Sequence, residues 1–199
     1  MAGFAAAFCA VSGARAGVNA AKFSVEYEWN ELDQNEVATL KKELWEPKKH
    51  RGGFPPQWAL QVIQDVVTPY WVLLYKKEDR LQAALNYIEF MRDHIVPQLM
   101  AYDNHDLRLV HEVRNIVLHM EMKLRASLFR KESRWYHYRE DYPLRDDENW
   151  LCWVKIQDVN GEMTLSKVPI PEKWRPDPTV PYAERYPCKF PNEPQDLPD

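Results

Sequence analysis

The sequence predicts a mainly α-helical protein: an antiparallel bundle of three to four helices, then a β-hairpin and an extended, proline-rich C-terminal strap. Two long segments repeat apolar residues every three or four positions, which is the spacing of one helix face. The pair Asn160-Gly161 between two apolar, alternating segments predicts the hairpin. The 15 prolines outnumber the 6 glycines and concentrate over residues 169–199, which predicts the strap.

Small residues dominate the first segment, residues 1–23, and we expect a helix that packs closely against another backbone. Residues 24–55 are predicted to be a connecting segment with one helix. Alternating apolar residues predict a short extended stretch over 24–31. Asp33 is predicted to cap the helix, which should end before Pro47.

The predicted bundle covers residues 56–141. Pro55 and Pro56 open its first helix, because proline is tolerated in a first helical turn, and Pro69 ends it. The side chains predicted to be buried in this helix are Trp58, Val62, Val66 and Val67.

The two longest helical patterns should pair with each other. The first has an apolar stripe at Leu81, Leu85, Ile88, Met91, Ile95 and Leu99, and Pro97 is predicted to end or bend it. The second runs from Asn104 or His105 to about Arg130. Its stripe is Leu107, Val110, Val113, Val117, Met120, Leu124 and Leu128. Because only the short link Tyr102–Asn104 joins the two helices, they are predicted to pack antiparallel.

Residues 142–199 are predicted to hold the hairpin and the extended tail. The hairpin strands are expected at Trp150–Gln157 and Glu162–Val168. The strap begins at Pro169. Its aromatic residues are expected to dock on a neighbouring surface; they are Trp174, Tyr182, Tyr186 and Phe190.

Composition argues against several classes of function. A net charge of −4 and a pI near 5.9 provide no basic surplus for nucleic acid or a membrane surface. No apolar run reaches the roughly 18 residues that span a bilayer, and Arg15 argues against a secretory signal. The three cysteines, Cys9, Cys152 and Cys188, form no metal-ligand or disulfide pattern, so we expect no metal site and a cytoplasmic location.

The densest group of charged and aromatic residues follows the second long helix. The candidate interface or ligand residues there are Arg134, His137, Arg139 and Asp141. His137 could exchange a proton near neutral pH, although the flanking arginines should favour its neutral form. Three roles stay open from the residues alone: fastening the helix, the hairpin and a neighbour together; binding a ligand or partner; and direct catalysis.

This segment also resembles a known family. The matching residues are Phe129-Arg130-x-Glu132-Ser133-Arg134, then His137, Arg139, Asp141, Tyr142, Pro143 and the box Arg145-Asp146-Asp147-x-Asn149-Trp150. Together they resemble the C-terminal signature of succinate dehydrogenase and fumarate reductase flavoprotein subunits, of which L-aspartate oxidases carry a looser version. Trp135 and Tyr136 depart from it, since the dicarboxylate branch usually has glycine and a small residue there. Adenylylsulfate reductase α subunits are rich in Trp and Tyr at this place, which leaves the substrate class open.

The N-terminal segment resembles the same family. Gly13-x-Arg15-Ala16-Gly17-x-x-Ala20-Ala21 is similar to the helix that follows the last flavin-contacting turn of the FAD domain. The resemblance places Ala5 and Ala6 near the positions whose backbone approaches the flavin. The alternative is an alanine-rich packing helix that contacts no cofactor.

The resemblance implies the C-terminal helical part of an FAD-dependent oxidoreductase that is not catalytically complete alone. The chain has no Gly-x-Gly-x-x-Gly turn, and the family's substrate-binding arginine and histidines belong to upstream regions. FAD would be present in the complete assembly. The implied partners are an FAD-domain chain or a missing N-terminal region, and an iron–sulfur electron-transfer subunit. The alternatives are a non-enzymatic scaffold derived from that domain and, ranked last, a self-sufficient enzyme using His137.

Overall fold

A computed structural model describes residues 4–28 and 31–187, and within these ranges the chain is mainly helical. The helices are α1 (Phe4–Glu26), α2 (Gln34–Trp45), α3 (Pro56–Val67), α4 (Tyr70–Leu73), α5 (Glu78–Phe90), α6 (Asn104–Phe129), α7 (Asp147–Trp150) and α8 (Tyr182–Arg185). The strands are β1 (Tyr75–Lys76), β2 (Tyr138–Arg139), β3 (Cys152–Val159) and β4 (Glu162–Pro169). The predicted helical class and the hairpin are confirmed.

The chain divides into two units, residues 1–44 and 45–199, which we describe separately. In the first unit, Asp33 caps α2 as predicted, since its Oδ1 accepts a hydrogen bond of 2.8 Å from the backbone N–H of Asn35. The extended stretch predicted to start at residue 24 is wrong over 24–26, because α1 continues to Glu26. Phe23 and Tyr27 lie four residues apart, and their rings stack at a centroid distance of 4.0 Å.

The second unit has a hydrophobic core made by α3, α5 and α6. In α3 the buried apolar residues are Ala59, Ile63 and Val67, whereas Trp58 is 42% exposed. Of the predicted residues, Val67 is buried and Val62 and Val66 pack partly buried against the core, whereas the prediction that Trp58 is buried is wrong. The Trp58 ring instead stacks on the Phe54 ring at the edge of the core, with centroids 5.1 Å apart.

Helices α5 and α6 pack antiparallel, as predicted. Glu89 pairs with Arg125 at 2.7 Å and Arg92 with Glu121 at 2.6 Å, so the sequence order along one helix runs opposite to that along the other. All six residues of the predicted α5 stripe are buried. The helical spiral continues after α5 as a π-helical turn, Met91–Ile95, and ends in a 3₁₀ turn, Val96–Gln98, which contains Pro97.

Two small sheets complete the second unit. Strands β1 and β2 are parallel, with Tyr75 opposite Tyr138 and Lys76 opposite Arg139, which brings the segment after α6 beside the start of α5. Strands β3 and β4 form the predicted antiparallel hairpin. Its turn residues Asn160 and Gly161 both have positive φ angles, 55° and 85°, as a type I′ turn requires.

Across the described ranges, no helix is both long enough and apolar enough to cross a membrane.

Gly53 tests the close contact between the loop before α3 and the backbone of Gln98. Its φ is +149°, and an added Cβ would lie 2.1 Å from the backbone oxygen of Gln98. That oxygen accepts the hydrogen bond from Phe54 N–H that joins this loop to the end of the α5 spiral. We expect Gly53→Ala to lower the free energy of unfolding by more than about 2 kcal/mol, measured by urea denaturation.

The matched control for Gly53 is its neighbour. A Cβ on Gly52 would meet no heavy atom within 4 Å, so Gly52→Ala should change the free energy of unfolding by less than about 1 kcal/mol. Equal losses in the two variants would show that the close approach to Gln98 does not constrain the fold.

Candidate functional site

Charged side chains crowd residues 130–147, which follow α6, and we call this segment the polar joint. Glu132 lies at its centre with no exposed side-chain surface. Its carboxylate accepts hydrogen bonds from Arg130 and from Nε and Nη2 of Arg134, the latter two at 2.8 and 3.0 Å. The backbone N–H of Asp146 donates another at 2.9 Å. The cost of burying this carboxylate is therefore compensated inside the chain.

Arg139 is the second buried charge of the polar joint. Its side chain is fully buried, and Nε and Nη2 each donate a 2.7 Å hydrogen bond to Asp141. Nη1 donates to the backbone oxygen of Ser127 at 2.7 Å, which satisfies a carbonyl in the last turn of α6. Partial burial raises the pKa of Asp141, but the hydrogen bonds from Arg139 lower it below its ordinary value.

Asp141 also connects the polar joint to α5. Its Oδ2 accepts a 3.0 Å hydrogen bond from the backbone N–H of Glu78, the first residue of α5. An acidic side chain is favourable at a helix N-terminus, where N–H groups lack partners. The Arg139–Asp141 pair thus joins the end of α6 to the start of α5.

Ser133 fixes the path of the loop between these charges. Its hydroxyl accepts a 2.8 Å hydrogen bond from the backbone N–H of Arg139 and donates one of 2.8 Å to the oxygen of Tyr142. Its own N–H donates to the oxygen of Leu144 at 2.9 Å. Because Ser133 is fully buried, these bonds supply partners that water cannot.

Two residues of the strap, Arg185 and Tyr186, contact the polar joint at Asp147. This carboxylate accepts hydrogen bonds from Arg134 at 2.6 Å, from Arg185 at 2.8 Å and from the Tyr186 hydroxyl at 2.6 Å. Tyr186 therefore docks on the chain's own polar joint. Trp174 is 70% exposed, and Phe190 lies outside the described residues.

Residues 134–137 form a tight turn on the outside of the polar joint. The backbone groups of Arg134 and His137 exchange two hydrogen bonds, of 2.7 and 2.9 Å. Trp135 has a φ of 56°, in the left-handed region that favours glycine. The side chains of Trp135 and Tyr136 are 63% and 79% exposed. The turn thus displays two aromatic side chains at a cost in backbone strain.

His137 is the last residue of this turn and is half-buried. Burial lowers its pKa to about 4, and the nearby charges of Lys76, Arg130 and Arg139 contribute. Its Nε2 atom lies 3.3 Å from the backbone oxygen of Arg130, which suits a neutral ring that donates this hydrogen. A histidine with this pKa is not poised for proton exchange near pH 7.

Lys76 is a member of this cluster that the sequence did not indicate. It is 4% exposed, and its Nζ donates a 3.2 Å hydrogen bond to the backbone oxygen of Tyr136. Burial lowers its pKa to about 8, and the charges of Lys123 and Arg139 add to the effect. The pairing of β1 with β2 brings Lys76 here, across some sixty residues of chain, and no local pattern in the sequence predicts that pairing.

The structure brings together the four candidate residues of this segment: Arg134, His137, Arg139 and Asp141. Ala5 and Ala6 lie on α1 in the other unit, where both are exposed. The cofactor, ligand and interface roles of these residues stay predictions. No group of three or more His, Cys, Asp or Glu side chains in the described ranges could hold a metal ion.

Trp135 allows a test of the strain in the turn. Trp135→Gly removes the positive-φ penalty but adds backbone entropy to the unfolded chain, whereas Tyr136→Gly adds only the entropy. We therefore expect Trp135→Gly to be more stable than Tyr136→Gly by about 1–2 kcal/mol in urea denaturation. Equal stabilities would contradict a strained Trp135.

The pKa of His137 predicts a pH dependence. An unfolded histidine has a pKa near 6.5, so acid protonates the unfolded chain first. The stability that neutral His137 contributes is therefore complete above pH 6.5 and is lost as the pH falls towards 4. Between pH 7 and pH 5 the wild-type chain should lose about 2 kcal/mol more than His137→Asn. The control His119→Asn, at an exposed position of α6, should keep the wild-type dependence, and a wild-type slope in His137→Asn would contradict the assignment.

Curated relatives match parts of this chain. An uncharacterized FAD-dependent oxidoreductase of Methanocaldococcus jannaschii is 30% identical over 139 residues, which cover 69% of this chain and 25% of that protein. An L-aspartate oxidase of Acinetobacter baylyi is 40% identical over 73 residues, which cover 37% of this chain and 13% of that protein. The chain thus spans a quarter or less of the length of these relatives.

Solved structures share the fold. The Mycobacterium smegmatis Sdh1 complex in the apo form superposes with a TM-score of 0.67 at 23% identity, over 81% of this chain and 28% of that chain. An E. coli quinol fumarate reductase gives a TM-score of 0.62 at 18% identity, over 74% and 26%. Residues 63–185, which include α5, α6, the polar joint and the hairpin, match the family described as fumarate reductase flavoprotein C-term. The chain therefore belongs to the fumarate reductase flavoprotein C-terminal family.

Proposed function

We propose that this chain is the C-terminal helical part of an FAD-dependent oxidoreductase related to fumarate reductase and succinate dehydrogenase. In this role it supports an FAD domain and an electron-transfer partner and is not catalytically complete alone. The observation that carries the proposal is the family match over residues 63–185, in a chain that spans only a quarter of the length of its FAD-dependent relative.

The described residues do not themselves fit FAD. A dinucleotide site uses a parallel βαβ unit with a glycine-rich turn at a helix N-terminus. The parallel strands described here, β1 and β2, are two residues long each, and the six glycines of the chain form no such turn. We therefore assign FAD to an FAD-domain chain or an upstream region.

Helix α1 is the proposed contact with that FAD domain. Its described side chains are exposed almost throughout, and small residues recur along it, which would allow another backbone to approach closely. Under this proposal the backbone at Ala5 and Ala6 lies near the flavin. The chain's own contribution is packing, with no proton or electron transfer assigned to it.

The polar joint supports a fastening role over a catalytic one. Glu132, Asp141 and Asp147 each accept hydrogen bonds from arginines of the same chain, and Arg139 has no exposed surface. Charged groups that are paired in this way are not available to activate a substrate without losing buried partners. We propose that Arg134, His137, Arg139 and Asp141 keep the helix end, the hairpin and the strap in place beside the partner.

We also propose that an iron–sulfur electron-transfer subunit is a partner of the assembled enzyme. Support comes from the exposed aromatic side chains around α4, of which Tyr70 is 69% and Trp71 57% exposed, because exposed aromatic groups of this kind mark protein contacts.

The substrate is proposed to be a dicarboxylate or adenylylsulfate, and Trp135 and Tyr136 favour the second. The absence of any cysteine pattern supports a cytoplasmic location.

The visible spectrum and native mass of the chain, isolated gently from its own source, test this proposal. We expect flavin absorbance in a complex larger than 23.6 kDa. A colourless chain at its own mass would contradict the proposal and favour the alternative, a scaffold that retains the fold without redox function.

Two variants test the proposed contact between α1 and the FAD domain. Ala6→Leu should reduce the flavin that co-purifies with the complex, because the added side chain blocks close backbone approach. Ala38→Leu, at an exposed position of α2, is the matched control and should leave the flavin content unchanged. Equal flavin in both variants would contradict the proposed contact at the start of α1.

A further inference from the structure

We propose that Lys76 and Lys123 form an anion-binding site beneath the turn 134–137, with Arg139 and His137 beside it. The ligand is an oxyanion: a carboxylate, or a sulfate or phosphate group. This inference goes beyond the proposed function, because the site lies within the second unit and requires neither FAD nor an FAD domain.

Burial and missing acceptors first indicate the site. Lys76 is 4% exposed because it lies in β1, which pairs with β2. A lysine ammonium has three N–H donors. Within the described ranges, Nζ of Lys76 donates to the backbone oxygen of Tyr136 at 3.2 Å and to no other group. Two donors of a buried ammonium are thus left for another acceptor, and an ammonium buried without one is costly.

The charge balance of the cluster points to an anion. Arg139 of β2 is the register partner of Lys76, and the backbone oxygen of Tyr136, the residue before His137, accepts the Lys76 hydrogen bond. The charge of Lys123 on α6 also acts on Lys76 and lowers its pKa. Within the described part of the chain, neither Lys76 nor Lys123 forms an ion pair. Arg139 is balanced by Asp141 and lies 3.8 Å from Glu78, whereas the charges of Lys76 and Lys123 have no counterion in the described part of the chain.

The neighbouring carboxylates are already engaged. Glu132 accepts hydrogen bonds from Arg130 and Arg134, and Asp141 accepts them from Arg139. Turning Asp141 towards Lys76 would remove the bidentate partner of the fully buried Arg139, and turning Glu132 would remove the carboxylate partner of Arg130. An external oxyanion can pair with Lys76 without breaking these contacts. The lowered pKa of Lys76 is the response expected of an ammonium that lacks such a counterion.

Lys123 is the more exposed of the two lysines. This residue is half-buried on α6, and the turn above the site carries the exposed side chains of Trp135 and Tyr136. A carboxylate, sulfate or phosphate oxygen accepts charge-assisted hydrogen bonds from lysine. The oxyanion could be a free ion or an acidic side chain of a partner protein, since both present the same group.

The test uses the full 199-residue chain and three probes at low millimolar concentration: sodium sulfate, sodium succinate and an acetylated tetraglutamate peptide. Thermal unfolding is compared with sodium chloride at equal ionic strength, because sulfate also stabilises proteins by exclusion from their surface. We expect a saturable rise in Tm in the wild-type chain. Lys76→Met and Lys123→Met should each weaken the apparent affinity at least tenfold.

The control variant is Lys155→Met, which removes one exposed charge on β3 and should keep the wild-type response. Lys76→Met should fold, because it removes a buried charge that has no counterion, and Lys123→Met provides the same test at a half-buried position. Stabilisation by sulfate or succinate supports a site for free anions. Stabilisation by the peptide alone supports a partner's carboxylate.

The proposal is overturned if no probe stabilises the wild-type chain, or if Lys76→Met and Lys123→Met respond as Lys155→Met does. Neither result bears on the proposed flavoenzyme role, because no flavin is present in this titration.

Discussion

Arg139 joins parts of the second unit that are distant in sequence. Its guanidinium donates to a carbonyl of the last α6 turn and to Asp141, and Asp141 in turn accepts the first N–H of α5. Breaking one partner of a buried pair of this kind costs about 3–5 kcal/mol, because a charge is left in a poorly solvated place. Arg139 lies in β2, directly after the turn 134–137, so this contact holds both segments beside the end of α6.

Most of the fold was predictable where a repeating pattern or a specific turn determined the local structure. The α5 stripe is buried as predicted, and in the α6 stripe all but Met120 and Leu128 are buried, these two being partly buried against the core. Six or seven aligned apolar residues leave little choice of face. The Asn160-Gly161 turn was predictable because few residue pairs accept two positive φ angles. In α3 the predicted side was right for Val62, Val66 and Val67, but the structure centres the buried face on Ala59, Ile63 and Val67 and leaves Trp58 at its edge.

The candidate site was predictable as a segment but not as a set of contacts. The charged residues at 130–147 indicated a network, and the structure pairs Arg139 with Asp141 and Arg134 with Asp147. Lys76 could not be predicted, because it enters through a two-residue parallel pairing that has no sequence signature. The contact that the sequence could not predict is that of Lys76, whose acceptor Tyr136 lies 60 residues away in the chain.

These contacts are consistent with a domain whose charges serve its own architecture. The carboxylates of Glu132, Asp141 and Asp147 pair with arginines, and burial keeps His137 neutral. A supporting part of a larger flavoenzyme needs such rigidity, because it must hold a fixed surface towards its partners. We therefore infer that the polar joint, through Arg139, makes the α6 end, the loop and the start of α5 one cooperative unit.

Hydrogen exchange of Arg139→Met, measured by mass spectrometry, tests this claim most directly. The control is Arg108→Met, which removes an exposed arginine paired with Glu112 on the same helix. The account predicts faster exchange in Arg139→Met at the last turn of α6, at residues 133–147 and at the first turn of α5 together, with α3 unchanged and no such change in the control. Faster exchange confined to residues next to position 139 would contradict it.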